Sequence, residues 1–431
     1  MIRADRDPAQ TLLVRAADAG DTYLSWRWLD EPAKPDYEVL LAAQLTNVLG
    51  GLDAALVGRR SGSASDPAHT ALVAGAFADP VREHSLACAL TDCVLPARLR
   101  REIADRAKRA RVGFRITPSP RLARVPWELL CVDEESRLIE VADVTYDPPA
   151  AVHAGRSAMP DDWSNVREHP AVLIVDPVLP AAVLGDLRAV LTYADGLIWS
   201  ERLVDHLVAN RISLGDSARA LHAKIDRGHL SVALKQPRSR LLYFGHVTAA
   251  IDQPGSAAIH LDDTTTQWGV PPAGVEYGDH RPLTALDLLL GTRLDGPGSW
   301  TKFGSDGPQD GHELWPMPSR VAIIACEGGA DYRSMETFGL VIAMINSGAE
   351  LVTTTRWILP SDNAFRSVGI DTQPASELGL RVDAAHELDD PLADLTAWQV
   401  DRLDRWRSDG DLAATPLVWA SLTHTLAPRR D

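Results

Sequence analysis

An α/β architecture, with parallel strands covered by helices, follows from three features of this chain. Four short apolar runs read as buried strands: AVLIVDP at 171–177, RLLYFGH at 240–246, RVAIIAC at 320–326 and LVTTTRW at 351–357. Helical segments separate them, at 198–226 around ERLVDHLVANRISL, at 283–290 as LTALDLLL and at 336–348 as ETFGLVIAMINSG. Third, 431 residues with 45% hydrophobic and 24% charged content are ordinary globular proportions and supply a large core, which excludes a disordered chain, a collagen-like fibre or a coiled coil. Strands that alternate with helices pair in parallel, because a parallel connection needs a crossover long enough to hold a helix. In such a sheet the reactive residues sit just past the carboxyl ends of the strands.

The remaining elements follow in chain order. MIRADRDPAQ at the N-terminus is charged and lacks the apolar centre of a secretory signal. Residues 11–29 carry β-prone runs broken by Asp and Gly and read as a hairpin. After Pro32 and Pro35, YEVLLAAQLTNVLGGLDAAL has apolar residues at helical spacing and reads as a helix interrupted at Gly50-Gly51. RRSGSASDPAHT at 59–70 is a loop or subdomain joint. From about residue 94 helix and strand alternate: LPARLRREIADRAKR is amphipathic, RVGFRIT is strand-like, and VPWELLCVD follows a proline-rich turn. Trp398, Trp406 and Trp419 lie in a C-terminal helical and strand-like run where aromatics are core.

Charge and cysteine usage narrow the function. With 43 Lys and Arg against 59 Asp and Glu, the net charge is −16 and no basic block exists, which disfavours nucleic acid or an anionic membrane as partner. The longest apolar stretches, including AVLIV at 171–175 and FGLVIAMI at 338–345, fall short of the ~20 residues that cross a bilayer. Four cysteines without paired metal-ligand spacing point to free thiols in a reducing cytoplasm, with no metal and no cofactor. Cys88, Cys93 and Cys131 are assigned to packing.

Two of the strands end in chemically useful residues. RLLYFGH closes on His246, and RVAIIAC closes on Cys326 followed by Glu327-Gly328-Gly329. Eighty residues separate the two, room for a crossover helix and a long loop, so adjacent parallel strands can bring imidazole and thiol to one sheet edge. A cysteine followed by glycines suits a thiolate nucleophile beside an oxyanion site, with the histidine to deprotonate it and then protonate the departing amine. Spacing alone leaves packing as the commoner role for a strand-end Cys. Residues 291–316, rich in Gly, Asp and Pro, form a long loop that could gate the cleft, be cut on activation at Arg293 or Lys302, or be a solvated insertion. The loop at 252–282 holds His260, Asp262, Asp263 and His280, which only loosely resemble a metal cluster.

From about residue 95 to 427 the chain resembles the CHAT-domain proteins, a bacterial branch of the caspase-like cysteine peptidases that also include separase. The resemblance rests on RLARVPWELL at 121–130, VDP at 175–177, RLLYFGH, LTALDLL at 283–289, VAIIACEGG at 321–329, ETFGLVIAMINSGAELV at 336–352 with RWILPSD at 356–362, and PLVWASLTH at 416–424, in family order. It implies a caspase-like, mostly parallel sheet flanked by helices, with a small N-terminal α+β region (1–90), a degenerate first subdomain (91–190) and a catalytic half (191–431). It also implies a Cys-His endopeptidase acting on protein or peptide substrates, controlled by an activating protein partner or by processing, in bacterial defence or regulated death. Carried over by residue, His246 and Cys326 are catalytic, and the backbone N–H groups of Val247 and Cys326 form the oxyanion hole. Thr355, Arg356, Trp357 and Ile358 line the substrate groove, and Asp362 selects a basic residue or, with Ser361, caps the following helix. Trp127 and Glu128 are structural hallmarks, the carboxylate pairing internally or capping. Family members usually have Gly after the His; the β-branched Val247 here opens the alternative of a catalytically inactive protein-interaction scaffold.

Overall fold

The strand-forming runs of this chain converge on one sheet. The computed structural model describes residues 7–58, 66–181, 189–208, 221–222, 224–249, 255–268, 278–294, 299–325 and 339–427. Its strands are β1 (Thr11–Ala19), β2 (Asp21–Trp28), β3 (Asp36–Leu40), β4 (Val112–Thr117), β5 (Ala142–Tyr146), β6 (Val172–Val175), β7 (Arg240–Gly245), β8 (Val247–Thr248), β9 (Ala258–Ile259), β10 (Leu283–Thr284), β11 (Arg320–Ala325), β12 (Leu351–Thr355) and β13 (Leu422–Leu426). Ten form a sheet in the order β3-β2-β1-β4-β5-β13-β12-β11-β7-β6, and β10-β9-β8 make a small second sheet.

The large sheet consists of two parallel blocks. β1, β4, β5 and β13 run parallel on one side, and β12, β11, β7 and β6 run parallel on the other. The blocks meet antiparallel at β12 and β13, with Leu351 opposite Leu426 and Thr355 opposite Leu422. β1 and β2 form the expected hairpin, turned at Gly20, whose φ of 78° suits a residue without a Cβ. This hairpin does not stand apart: β1 pairs with β4 and so extends the same sheet.

β6, β7, β11 and β12 are buried along their whole length, which explains the apolar runs of β6, β7 and β11; in β12 buried threonines follow Leu351 and Val352. Alternation along the strands splits their side chains between two cores. Leu173, Val175, Leu242, Phe244, Ala322 and Ile324 face one cluster, built with Trp199 and the Pro374–Ala385 and Pro391–Asp409 helices. Val172, Ile174, Leu241, Tyr243, Val321 and Ile323 face the other, with Trp268, Leu288 and Trp315. A third cluster lies under β1, β2 and β4, closed by the Pro80–Val94 and Ala97–Ala107 helices.

Two expectations change. YEVLL is not the start of the helix: Asp36–Leu40 is the edge strand β3, paired with β2, and the helix occupies Ala42–Ala55. Ladder hydrogen bonds to β2 outweigh the helical spacing of a five-residue stretch. The 291–316 segment is not wholly a solvated insertion, since Phe303, Leu314 and Trp315 are fully buried and turns at Ser299–Phe303 and Gly311–Leu314 fold it onto the core. No helix among the described residues is long and apolar enough to cross a membrane.

Candidate active site

The geometry of the site starts from the register of β7 and β11. They are adjacent and parallel, and pair from Arg240 opposite Arg320 to Gly245 opposite Ala325. His246 follows Gly245 directly and is buried, 4% exposed. Cys326, which follows Ala325 in sequence, lies outside the described residues, as do Glu327, Gly328 and Gly329.

A tyrosine that sequence reasoning passed over pins the histidine's backbone. The Tyr243 hydroxyl donates to the His246 carbonyl at 2.7 Å and accepts from the His260 N–H at 3.2 Å. Tyr243 and Gly245 share a strand face, and a Cβ at residue 245 would stand 2.9 Å from the phenol oxygen. The glycine leaves the space that the hydroxyl occupies. A tyrosine two residues before a glycine, inside an apolar run, was the available signal.

β8 begins immediately after His246 and puts Val247 opposite Ile259 in an antiparallel pair. The His260 N–H bonds the His246 carbonyl at 3.3 Å, which makes 246 and 260 the hydrogen-bonded pair. Val247 is then in the next, non-bonded pair, and its N–H is directed away from β9. β8 is also the outer strand of the small sheet.

The loop histidines form a directed chain behind this turn. A carbonyl only accepts, so His280 Nδ1–H donates to Asp263 O (2.8 Å) and leaves His280 Nε2 as an acceptor. His260 Nδ1–H donates to it at 3.0 Å, and His260 Nε2 accepts from the Thr248 hydroxyl at 2.8 Å. Burial, then His280 and His246, push His260 well below its ordinary value, so the neutral ring is the stable form. Asp263 is instead ion-paired with Arg227 at 3.3 Å. These residues satisfy one another, and the loose resemblance to a metal cluster is explained by a hydrogen-bond chain.

On the other flank, β6 ends in Asp176, whose N–H bonds Phe244 O at 2.7 Å. Its carboxylate accepts from the N–H groups of Val190 and Leu191 and lies 3.3 Å from His222 Nδ1. Asp176 and His222 have φ of 45° and 52°, the non-glycine residues with left-handed backbone among those described. Their mutual contacts hold both in that conformation.

The residues expected beside a bound peptide are all buried. Thr355 Oγ1 accepts from the Ala325 N–H at 3.1 Å. Arg356 is fully enclosed: one terminal nitrogen bonds both Glu128 oxygens at 2.7 Å, and the guanidinium also reaches Val125 O, Leu422 O and the Tyr146 hydroxyl. Trp357 Nε1 donates to Leu417 O, and its ring stacks on Phe77. Ile358 packs internally at 9% exposure. Asp362 accepts from the N–H groups of Ala375 and Ser376 at the start of the Pro374–Ala385 helix, while Ser361 caps its own helix, Asp362–Ser367. Burial pushes Asp362 up to about 6. Glu128 therefore pairs internally as expected, with a partner, Arg356, expected elsewhere. Trp127 is buried against Phe114.

Comparison with known proteins adds one kind of likeness. No family model matches the chain, and no curated protein does. A crystal structure of the Saccharomyces cerevisiae separase–securin complex matches 97% of this chain and 30% of the aligned chain, at 9% identity and a TM-score of 0.51; a second structure of that complex gives the same coverage and identity with a TM-score of 0.47. This chain thus spans about 30% of the length of its structural neighbour. The likeness is one of fold: a mixed α/β architecture with a large, mostly parallel sheet between helices, as in the caspase-like proteins.

Proposed function

We propose that the chain is a caspase-like cysteine endopeptidase that cuts protein substrates with a dyad of Cys326 and His246. The supporting observation is the register of β7 and β11: Gly245 lies opposite Ala325, so the two candidate residues are the next in sequence after a matched pair at the carboxyl ends of adjacent parallel strands. In this reading His246 takes the Cys326 proton and the thiolate attacks the peptide carbonyl. The N–H groups of Val247 and Cys326 donate to the developing oxyanion, and the outward direction of the Val247 N–H supports that role. The imidazolium then protonates the leaving amine. Water, deprotonated by His246, attacks the thioester and releases the new carboxylate and the thiol.

The burial of His246, and of all five residues expected at the groove, supports control by a protein partner or by processing that opens the cleft; a defence or regulated-death setting rests on the family resemblance alone. With Thr355, Arg356 and Trp357 held internally, an extended substrate would be read by backbone contacts beside Ile358, and a basic preference through Asp362 would need that carboxylate released from the Pro374–Ala385 helix. The same burial is what favours the second reading, an inactive protein-binding scaffold.

A peptide library varied before the scissile bond, offered to the wild type, Cys326→Ala and His246→Ala, tests the proposal. Cleavage by the wild type that falls by a factor on the order of 10⁴ in either variant is the expected outcome. A thiol-directed probe that labels Cys326 no faster than the other cysteines, with no turnover after limited proteolysis, would establish the scaffold.

A further inference from the structure

The proposed chemistry leaves three of the four cysteines unused, and two of them are not simply packed. His84 and Cys88 are one helical turn apart on Pro80–Val94, and Cys131, which follows the Trp127–Leu129 turn, is tied to that helix by its N–H, which donates to Thr91 Oγ1 at 2.8 Å. Cys88 Sγ lies 3.5 Å from His84 Nε2 and 3.6 Å from Cys131 Sγ. Arg137 sits behind them, with Nη2 3.2 Å from His84 Nδ1 and Nη1 3.4 Å from Cys131 Sγ. Glu83 at 3.1 Å and Leu129 O at 2.7 Å hold the guanidinium in place.

A guanidinium only donates, so His84 Nδ1 is an acceptor and the proton of the neutral ring is on Nε2, aimed at Cys88. Burial, Arg137 and Arg407 lower His84, which keeps the ring in this neutral form. The Cys88 sulfur therefore receives the His84 Nε2–H and stands 3.6 Å from the Cys131 sulfur, within easy reach of an S–S bond. Cys131 differs: burial pushes its thiol up to about 11, so it stays protonated. Cys88 is half-buried, whereas Cys131 is buried beneath it.

These three ligand atoms are close enough to share a metal ion. The arginine argues against one. An imidazole that ligates through Nε2 carries its proton on Nδ1, and here Nδ1 faces a donor that cannot accept it.

We propose that Cys88 and Cys131 are a peroxide-responsive pair that forms a reversible disulfide. The Cys88 thiolate attacks a hydroperoxide: an S–O bond forms, the O–O bond breaks, the sulfur loses two electrons to the peroxide, and water or an alcohol departs after protonation. The Cys131 thiol then attacks the sulfenic sulfur, an S–S bond replaces the S–O bond, and the hydroxide leaves as water with the Cys131 proton. A dithiol reverses the step. The closed loop spans 43 residues and ties the helix to the turn that carries Glu128, the partner of Arg356.

The test is peptide mapping of the full, reduced chain after stoichiometric hydrogen peroxide. A Cys88–Cys131 cross-linked peptide should appear, disappear with dithiothreitol, form equally in Cys93→Ser, and form about tenfold more slowly in His84→Gln. In Cys131→Ala, dimedone should trap Cys88 as the sulfenic acid, a readout that needs neither the cross-link nor peptidase activity. Cys88 and Cys131 both still alkylated after peroxide, with no dimedone adduct in Cys131→Ala, would overturn the proposal. So would stoichiometric zinc in the isolated chain that shields both thiols.

Discussion

The Glu128–Arg356 pair shows how far single residues could be read. Both ends of the ion pair are inside the molecule, at 3% and 0% side-chain exposure, and the guanidinium joins the turn before β5 to the far end of β12. Arg356 was expected in a groove because the resemblance to the caspase-like peptidases places the residues after LVTTT beside substrate; here its guanidinium is enclosed instead. Nothing local in RWILPSD announces that VPWELL and β13 fold over it. Glu128→Gln leaves a buried cation with a weaker partner and should cost about 3–5 kcal/mol, read from the urea midpoint. Glu128→Leu combined with Arg356→Met should recover most of that loss, because no charge is then stranded. His246 was legible because it closes an apolar run at a strand end. Tyr243, which holds it, was not, because its role depends on the hydroxyl's partners across the turn.

Legibility of whole elements follows how they are buried. β6, β7 and β11 have both faces covered, so they stand out as apolar runs, and β12 stands out by its β-branched residues. β13, with Thr423, His424 and Thr425 at its centre, and the short β5 carry no such run, and their places come from neighbours distant in sequence. The β7-to-β8 turn is a tight element in which each part limits the others. Gly245→Ala brings a Cβ within 2.9 Å of the Tyr243 hydroxyl and 3.3 Å of Pro177, and should destabilise by about 1–3 kcal/mol. Tyr243→Phe loses the bond to His246 O and should cost about 1 kcal/mol. The double variant should cost less than the sum, since removing the hydroxyl relieves part of the clash, and a double-mutant cycle by urea denaturation reads the difference.

The whole molecule should be acid-sensitive because its interior holds neutral histidines. Burial drives His424 down to about 3, and His260 and His386 well below their ordinary value. Their folded values are depressed, so the stability they support is present above about pH 6.5 and is lost as pH falls toward about 3. Asp263 and Asp362, raised to about 6 by burial, act oppositely: their contribution is full below about pH 4 and is lost as pH rises through about 6. The His424 shift exceeds that of either aspartate, and His260 and His386 are depressed with it, so the urea midpoint should fall between pH 6.5 and 4. His424→Gln should make that decline shallower by up to one proton.

β13 comes last in chain order among the thirteen described strands, yet it lies at the centre of the ten-stranded sheet, between β5 and β12. Until it has left the ribosome, two central edges stand open, and the parallel blocks on either side cannot join. Insertion of β13 as a keystone strand is therefore what joins the two blocks, and a chain interrupted before Leu422 would present two unpaired strand edges to chaperones and to other copies of itself.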